Sequence, residues 1–198
     1  MAKKSRDKYF LILDAAVKVM AKYGYHRTRV SQIAREAGVA DGTVYLYFDK
    51  KEDILVSLFR EMMESFVQDI KSQLHHYPTF EKKLIFIIEH HLNALGASRE
   101  RAMVIQIELR QCDSEMGKKI FAPLRKYFQI IEEVIEEGKN TGAVRTEVDT
   151  QLARKVVFGA LDEVVTRWVM SSQDYNLSSL TEPVLDLIMH GIAIPSQT

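Results

Sequence analysis

The sequence is short of the residues that staple, span or interrupt a fold. Its single cysteine, Cys112, excludes an intrachain disulfide framework and any multi-cysteine zinc site. A buried thiol serving as a small hydrophobe is its first reading, and redox sensing its second. No apolar run approaches the roughly 18–20 residues that a membrane span needs. The basic start, Lys3-Lys4-Ser5-Arg6, leads into no secretory apolar core. A soluble, cytoplasmic protein is therefore expected. With 4 prolines and 9 glycines in 198 residues, long stretches stay free of helix breakers. There is no glycine-rich phosphate loop and no alternation of strands with helices, which disfavours a nucleotide-binding α/β fold. An excess of charge of one sign is lacking too, since 27 Lys plus Arg balance 27 Asp plus Glu.

That balance hides a partition. Residues 1–51 hold 11 basic and 5 acidic side chains, while residues 52–198 hold 16 and 22. A head of net +6 is cancelled by a remainder of net −6. With 46% hydrophobic residues the chain can bury a core, so global disorder is excluded. The expected organisation is a basic domain over 1–51 and a larger acidic domain over 52–198.

Hydrophobic periodicity is helical almost throughout, and predicts an all-α protein of about nine helices. Ile12, Ala16, Val19 and Tyr23, with Leu13, Val17 and Met20 beside them, mark the apolar stripe of the first helix. Gly24 is placed to end it in a left-handed cap. Thr28 is expected to cap a short helix running to Ala37, which Gly38 closes. Asp41 to Phe48 reads as a third helix with Val44, Leu46 and Phe48 available to the core. The run Thr43–Phe48 taken alone has strand propensity, but a lone strand would have no partner. A long helix starts near Lys50 and breaks before Pro78. Further helices are expected over Phe80–Leu95, Arg99–Gln111, Glu115–Glu137, Thr150–Ser171 and Leu180–Gly191, with a kink or a short leading helix at Pro123.

The two short helices around Gly38-Val39-Ala40 have helix-turn-helix spacing. A helix fits the major groove of double-stranded DNA, and its N-terminal residues reach base edges. Here that end carries Gly42, which permits close approach, and Thr43, which offers a hydroxyl and a methyl. Tyr45 and Tyr47 can set hydroxyls on phosphates, and Lys51 can meet phosphate at the start of the next helix. Arg29 suits a groove or phosphate contact. The plainer alternative is a small helical subdomain whose lysines keep it soluble.

Residues 10–55 resemble the TetR family of transcriptional regulators. The likeness runs through Ile12-Leu13-Asp14-Ala15-Ala16, Tyr23-Gly24-Tyr25 and Thr28 to Val39, then from Gly42 to Leu55. It implies a TetR-like fold with an N-terminal helix-turn-helix domain and a larger ligand-binding and dimerisation domain. It also implies homodimers on pseudo-palindromic operators, released when a small ligand enters the body. Carried over position by position, Thr28, Arg29, Gly42, Thr43, Tyr45, Tyr47 and Lys51 are the expected DNA contacts. Ala40 stands where relatives often have serine or threonine, so one hydroxyl of the pattern is missing.

In the acidic body, Val156, Val157, Ala160, Leu161, Val164, Val165, Trp168 and Val169 cover a broad face of one helix. Val184, Leu185, Leu187, Ile188 and Ile192 do so in the last. Such a pair can form a symmetric four-helix interface or complete the monomer's own core. The central helices supply Met62, Phe66, Met103, Ile107 and Leu124, and with them Tyr127, Phe128, Phe158 and Trp168. Each reads first as core and second as the lining of a ligand cavity. Among them lie the polar groups His90, Gln106, Arg110, Asp162 and Arg167. Asp162 can pair with Arg110 or Arg167, or an arginine can hold a ligand's carboxylate or phosphate.

The stretches Gln106 to Gln111, Leu152-Ala153-Arg154, Phe158-Gly159, Leu161-Asp162-Glu163 and Thr166 to Met170 resemble a subgroup of the same family that represses fatty-acid-degradation genes. The resemblance implies long-chain acyl-coenzyme A as the regulatory ligand, with an apolar tunnel for the tail and basic groups near the phosphates. No cofactor is expected. A regulator answering to another hydrophobic ligand or drug has the same architecture. A helical acyl-handling enzyme is the reading from a different class. It lacks a nucleophile motif such as G-x-S-x-G, and the adjacent pairs His75-His76 and His90-His91 point about 100° apart on a helix, which disfavours a metal site.

Overall fold

The computed structural model describes residues 3–108, 114–173 and 175–191, without the side chains of 3–5 and 114–116. Nine α-helices and no strand occur among these residues: α1 Lys3–Tyr23, α2 Val30–Glu36, α3 Asp41–Tyr45, α4 Lys51–Gln73, α5 Phe80–Gly96, α6 Arg99–Met103, α7 Ser114–Asn140, α8 Thr150–Met170 and α9 Thr181–His190. The architecture is the expected all-α one. Two compact units result, Met1–Ser65 with Ser98–Leu124, and Phe66–Ala97 with Arg125–Thr198.

In the first unit α1 packs on α2 and α6, and α2 packs on α3. Ile12, Ala16 and Met20 of α1 are fully buried, as are Ile33 and Ala34 of α2 and Val44 of α3. Gly24 closes α1 at φ 79, a backbone region that glycine enters without a Cβ clash, and its N–H reaches the Met20 carbonyl at 2.8 Å.

Thr28 does not cap α2. Its hydroxyl donates back to the Gly24 carbonyl at 2.8 Å, and Arg29 takes the N-cap position in extended conformation. The Arg29 N–H donates to Gln32 Oε1 at 2.8 Å, closing half of a capping box.

The third helix is shorter than expected and ends in a turn in which the Phe48 N–H meets the Val44 carbonyl at 3.1 Å. Val44 and Phe48, four apart, share the buried face, but Leu46 is 82% exposed. Two residues from Val44 on a helical turn, Leu46 is rotated by about 200° and cannot reach the same core. The expected core role of Leu46 is thus corrected.

Of the helix expected over Arg99–Gln111, Arg99–Met103 are α-helical and Val104–Glu108 widen into a π turn, while residues 109–111 lie outside the described ones. Val104, Ile105, Gln106 and Glu108 are all buried there, so this segment is covered on more than one face. Such turns recur at functional sites.

In the second unit α5 packs against α8, α9 and a short 3-10 turn at Leu177–Leu180. Ile87, Ile88, Leu92 and Leu161 are fully buried at its centre. Thr79 caps α5 through the Lys82 N–H at 3.3 Å, and Asp149 caps α8 through the Leu152 N–H at 2.6 Å. Helix α7 continues through Pro123 with no separate leading helix. It also runs through Gly138 to Asn140, past the expected end at Glu137.

Candidate functional site

The N-terminal edge of α3 is open. Asp41 and Gly42 are exposed, Thr43 and Tyr47 are half-buried, and Tyr45 is 54% exposed. Gly42 has no positive φ, and a Cβ built there would meet nothing within 4 Å. The fold itself therefore does not call for glycine at this position. The Tyr47 ring lies 6.4 Å from that of Tyr9, which stacks at 5.3 Å on buried Phe48 and donates its hydroxyl to Glu61 at 3.0 Å. Burial raises the Tyr9 pKa. Arg29 is exposed at the N-cap of α2.

Thr28 and Lys51 turn inward instead. Thr28 is only 3% exposed. The Lys51 ammonium donates to the carbonyls of Tyr25 at 2.7 Å and Thr28 at 3.1 Å, and sits 4.3 Å from the centre of the Tyr25 ring. A residue that sequence reasoning did not single out completes this arrangement. Buried Glu108, on the π turn, accepts the Tyr25 N–H at 2.6 Å. The loop entering α2 is thus held by a cation on its carbonyls and a carboxylate on its N–H. No local pattern signals this, because Tyr25 and Glu108 lie 83 positions apart.

The second unit gathers Phe66, His90, Tyr127, Phe128 and Phe158 into one aromatic cluster. Phe66 lies 4.9 Å from both His90 and Tyr127, and Phe128 meets Phe158 edge-on at 4.8 Å. At its centre is His91, weighed in the sequence only as half of the pair His90-His91, whose Nδ1 is 3.1 Å from the Tyr127 hydroxyl. Burial, and then neighbouring His90, lower the His91 pKa to about 4. Burial likewise lowers that of His90, against the pull of Asp69, and holds Tyr127 neutral. Arg154 lies over the Phe128 ring at 4.3 Å and reaches Glu132 at 3.3 Å, which puts a cation on the edge of the cluster.

Other expected positions make contacts along the chain. The Trp168 indole donates to the Tyr175 carbonyl at 3.0 Å, tying down the segment after α8. The Asp162 carbonyl accepts the Thr166 hydroxyl at 2.8 Å. Arg167 pairs with Glu163 at 2.5 Å rather than with Asp162, because four residues on a helix bring side chains together and five do not. Met62, Met103, Ile107 and Leu124 are half-buried and Gln106 is buried in the first unit. Arg110, Cys112 and Ile192 lie outside the described residues. Of the broad apolar face of α8, Val157, Leu161, Val165, Trp168 and Val169 are consumed by the unit's own core. Leu152, Val156 and Met170 of α8 and Leu187 of α9 remain exposed.

Among the described residues no group of three His, Cys, Asp or Glu side chains gathers as a metal site, and no helix is long and apolar enough to cross a membrane.

Residues 12–58 match the family model of bacterial regulatory proteins of the tetR family, and residues 59–191 match that of the YsiA-like protein, C-terminal region. The chain is 44% identical over 190 residues to a fatty acid metabolism regulator protein of Bacillus subtilis (strain 168), covering 96% of this chain and 98% of that one. Among solved structures it resembles the transcriptional regulator FadR from Bacillus subtilis in complex with stearoyl-CoA, with a TM-score of 0.90 and 44% identity over 93% of this chain and all (100%) of the other. It also resembles the fatty acid degradation regulator FadR from Bacillus halodurans, with a TM-score of 0.89 and 47% identity over 93% of this chain and 100% of that one.

Proposed function

The chain belongs to the tetR family of bacterial regulatory proteins, and on that premise we propose that it represses fatty-acid-degradation genes and leaves its operator when long-chain acyl-coenzyme A binds. The observation that carries this reading is that the identity extends through the body as well as the reader, to a relative whose structure contains stearoyl-CoA. Readers of this kind are shared by regulators with many effectors, whereas the body is where an effector is sensed.

In this reading residues 1–51 are the DNA-binding domain and residues 52–198 the ligand-binding and dimerisation domain. The open edge of α3 enters the major groove. Gly42 allows close approach, Thr43 reads a base edge, and Arg29, Tyr45 and Tyr47 meet phosphates. Thr28 and Lys51 act one step back, by holding the loop that aims α2 and α3. The exposed apolar residues of α8 and α9 pair two copies, as a pseudo-palindromic operator requires. The aromatic cluster of the second unit faces the acyl portion of the ligand, and Arg154 supplies positive charge at its rim.

The test is a fluorescence-anisotropy titration of operator DNA, selected by the protein from a random pool. Stearoyl-coenzyme A should release the DNA, whereas aromatic cations should do so poorly. No response to any acyl thioester, or a stronger response to the cations, would overturn the proposed effector class.

A further inference from the structure

His91 is buried at a cost that the packing around it does not explain. It is 6% exposed, and its ring is enclosed edge-on by Phe66 at 6.0 Å and Phe158 at 6.3 Å and stacked by Tyr127 at 5.8 Å. Its Nε2 atom is fully buried with no hydrogen-bond partner among the described residues. A phenylalanine would fill similar space without desolvating an imidazole, and an unpaired buried polar group is destabilising.

The protonation state follows from the neighbours. With its pKa lowered to about 4 the ring is neutral at ordinary pH, so one nitrogen carries hydrogen and the other a lone pair. Buried Tyr127 stays a phenol, and the acceptor within reach of its proton is His91 Nδ1 at 3.1 Å. Once Nδ1 accepts, the ring hydrogen must be on Nε2. Tyr127 therefore acts as a positioning residue that sets the tautomer. What remains is a neutral N–H donor, fixed in direction and surrounded by aromatic carbon.

We infer that His91 Nε2 donates to the carbonyl oxygen of a bound acyl group. The inference rests on the effector class proposed above and specifies which part of that ligand is read. A hydrocarbon tail offers no acceptor. A phosphate or an ionised carboxylate calls for a cation, which the His91–Tyr127 pair does not supply. A thioester carbonyl is an uncharged acceptor attached directly to an apolar chain, and it matches both the donor and its surroundings. The pair thus distinguishes an activated fatty acid from the free acid and from other apolar molecules.

The experiment compares stearoyl-coenzyme A with S-octadecyl-coenzyme A, a thioether with the same tail and nucleotide but no carbonyl. Release of operator DNA from the full-length protein is the readout. The thioester should act at a concentration about tenfold lower, since the thioether leaves the donor unpaired. In His91→Phe the gap should close to within about twofold, because the donor is gone. Equal potency in the wild-type protein, or a gap that persists in His91→Phe, overturns the inference while leaving the effector class intact. If neither compound releases DNA, both fall together.

Nitrogen NMR of histidine-labelled wild-type protein decides the matter even if His91→Phe fails to fold. The spectrum should show the Nε2–H tautomer, with an Nε2 signal that moves on adding stearoyl-coenzyme A and far less on adding the thioether. The opposite tautomer, or the same shift with both compounds, overturns the inference. Tyr127→Phe should release the tautomer and reduce the discrimination; an unchanged tautomer would remove Tyr127 from the arrangement.

Discussion

Gly42 and Lys51 show how the same short motif mixes two kinds of residue. Gly42 is a glycine that the fold does not require, since a Cβ there meets nothing within 4 Å. Gly42→Ala should therefore keep the protein folded, with a gain of up to about 0.5–1 kcal/mol from helix propensity. Operator affinity should nevertheless fall about tenfold through lost close approach. Thermal melting and anisotropy on the same sample check both halves, and an unchanged affinity would remove Gly42 from the interface. Lys51 carries the opposite signature, with its ammonium on the carbonyls of the loop before α2. Lys51→Met should lower stability by about 1–3 kcal/mol. The salt dependence of DNA binding should keep its slope, whereas loss of a phosphate contact would reduce it by about one. The residue types at both positions were legible in the motif. The direction of the Lys51 side chain was not, because its partners are 23 to 26 positions away.

At the scale of elements, capping and periodicity carried most of the information. Gly24 ends α1, Pro78 follows the end of α4, and buried stripes of α1 and α5 follow helical spacing. Local rules failed where packing reassigned a residue. Gly138 reads as a helix stop, yet α7 runs past it to Asn140. A Cβ at Gly138 would come within 2.7 Å of the Phe80 ring and of a Val144 methyl. Glycine is there to let helix and neighbours approach. Gly138→Ala should destabilise the protein by about 1 kcal/mol or more, with overpacking outweighing the gain in helix propensity. Urea denaturation measures this, and a stabilised variant would show that the neighbours can give way. The π turn at Val104–Glu108 is a similar case. Its sequence has ordinary helical spacing, and only its packing and the pull of Glu108 on the Tyr25 N–H distinguish it.

For the whole molecule, zero net charge is the sum of two opposed parts. In the proposed function the basic head supplies attraction to DNA, and the acidic remainder discourages wrapping over the body. The same proposal pairs two heads to read two half-sites and places the pairing on α8 and α9. Val156 is 55% exposed, so Val156→Glu should leave each protomer folded. It should also split the dimer and abolish tight operator binding. Light scattering with circular dichroism checks this, and an intact dimer would move the interface elsewhere. The amino-acid sequence alone determined the helical class, most helix ends, the charge partition and the reader motif. Each of these depends on neighbours within a few residues or on composition. The tertiary structure alone decided that Lys51 faces inward, that Glu108 holds Tyr25 and that His91 is buried against Tyr127. Those pairings join groups from different helices, and a hydrogen bond depends on ångström-scale placement that no local pattern in the chain sets.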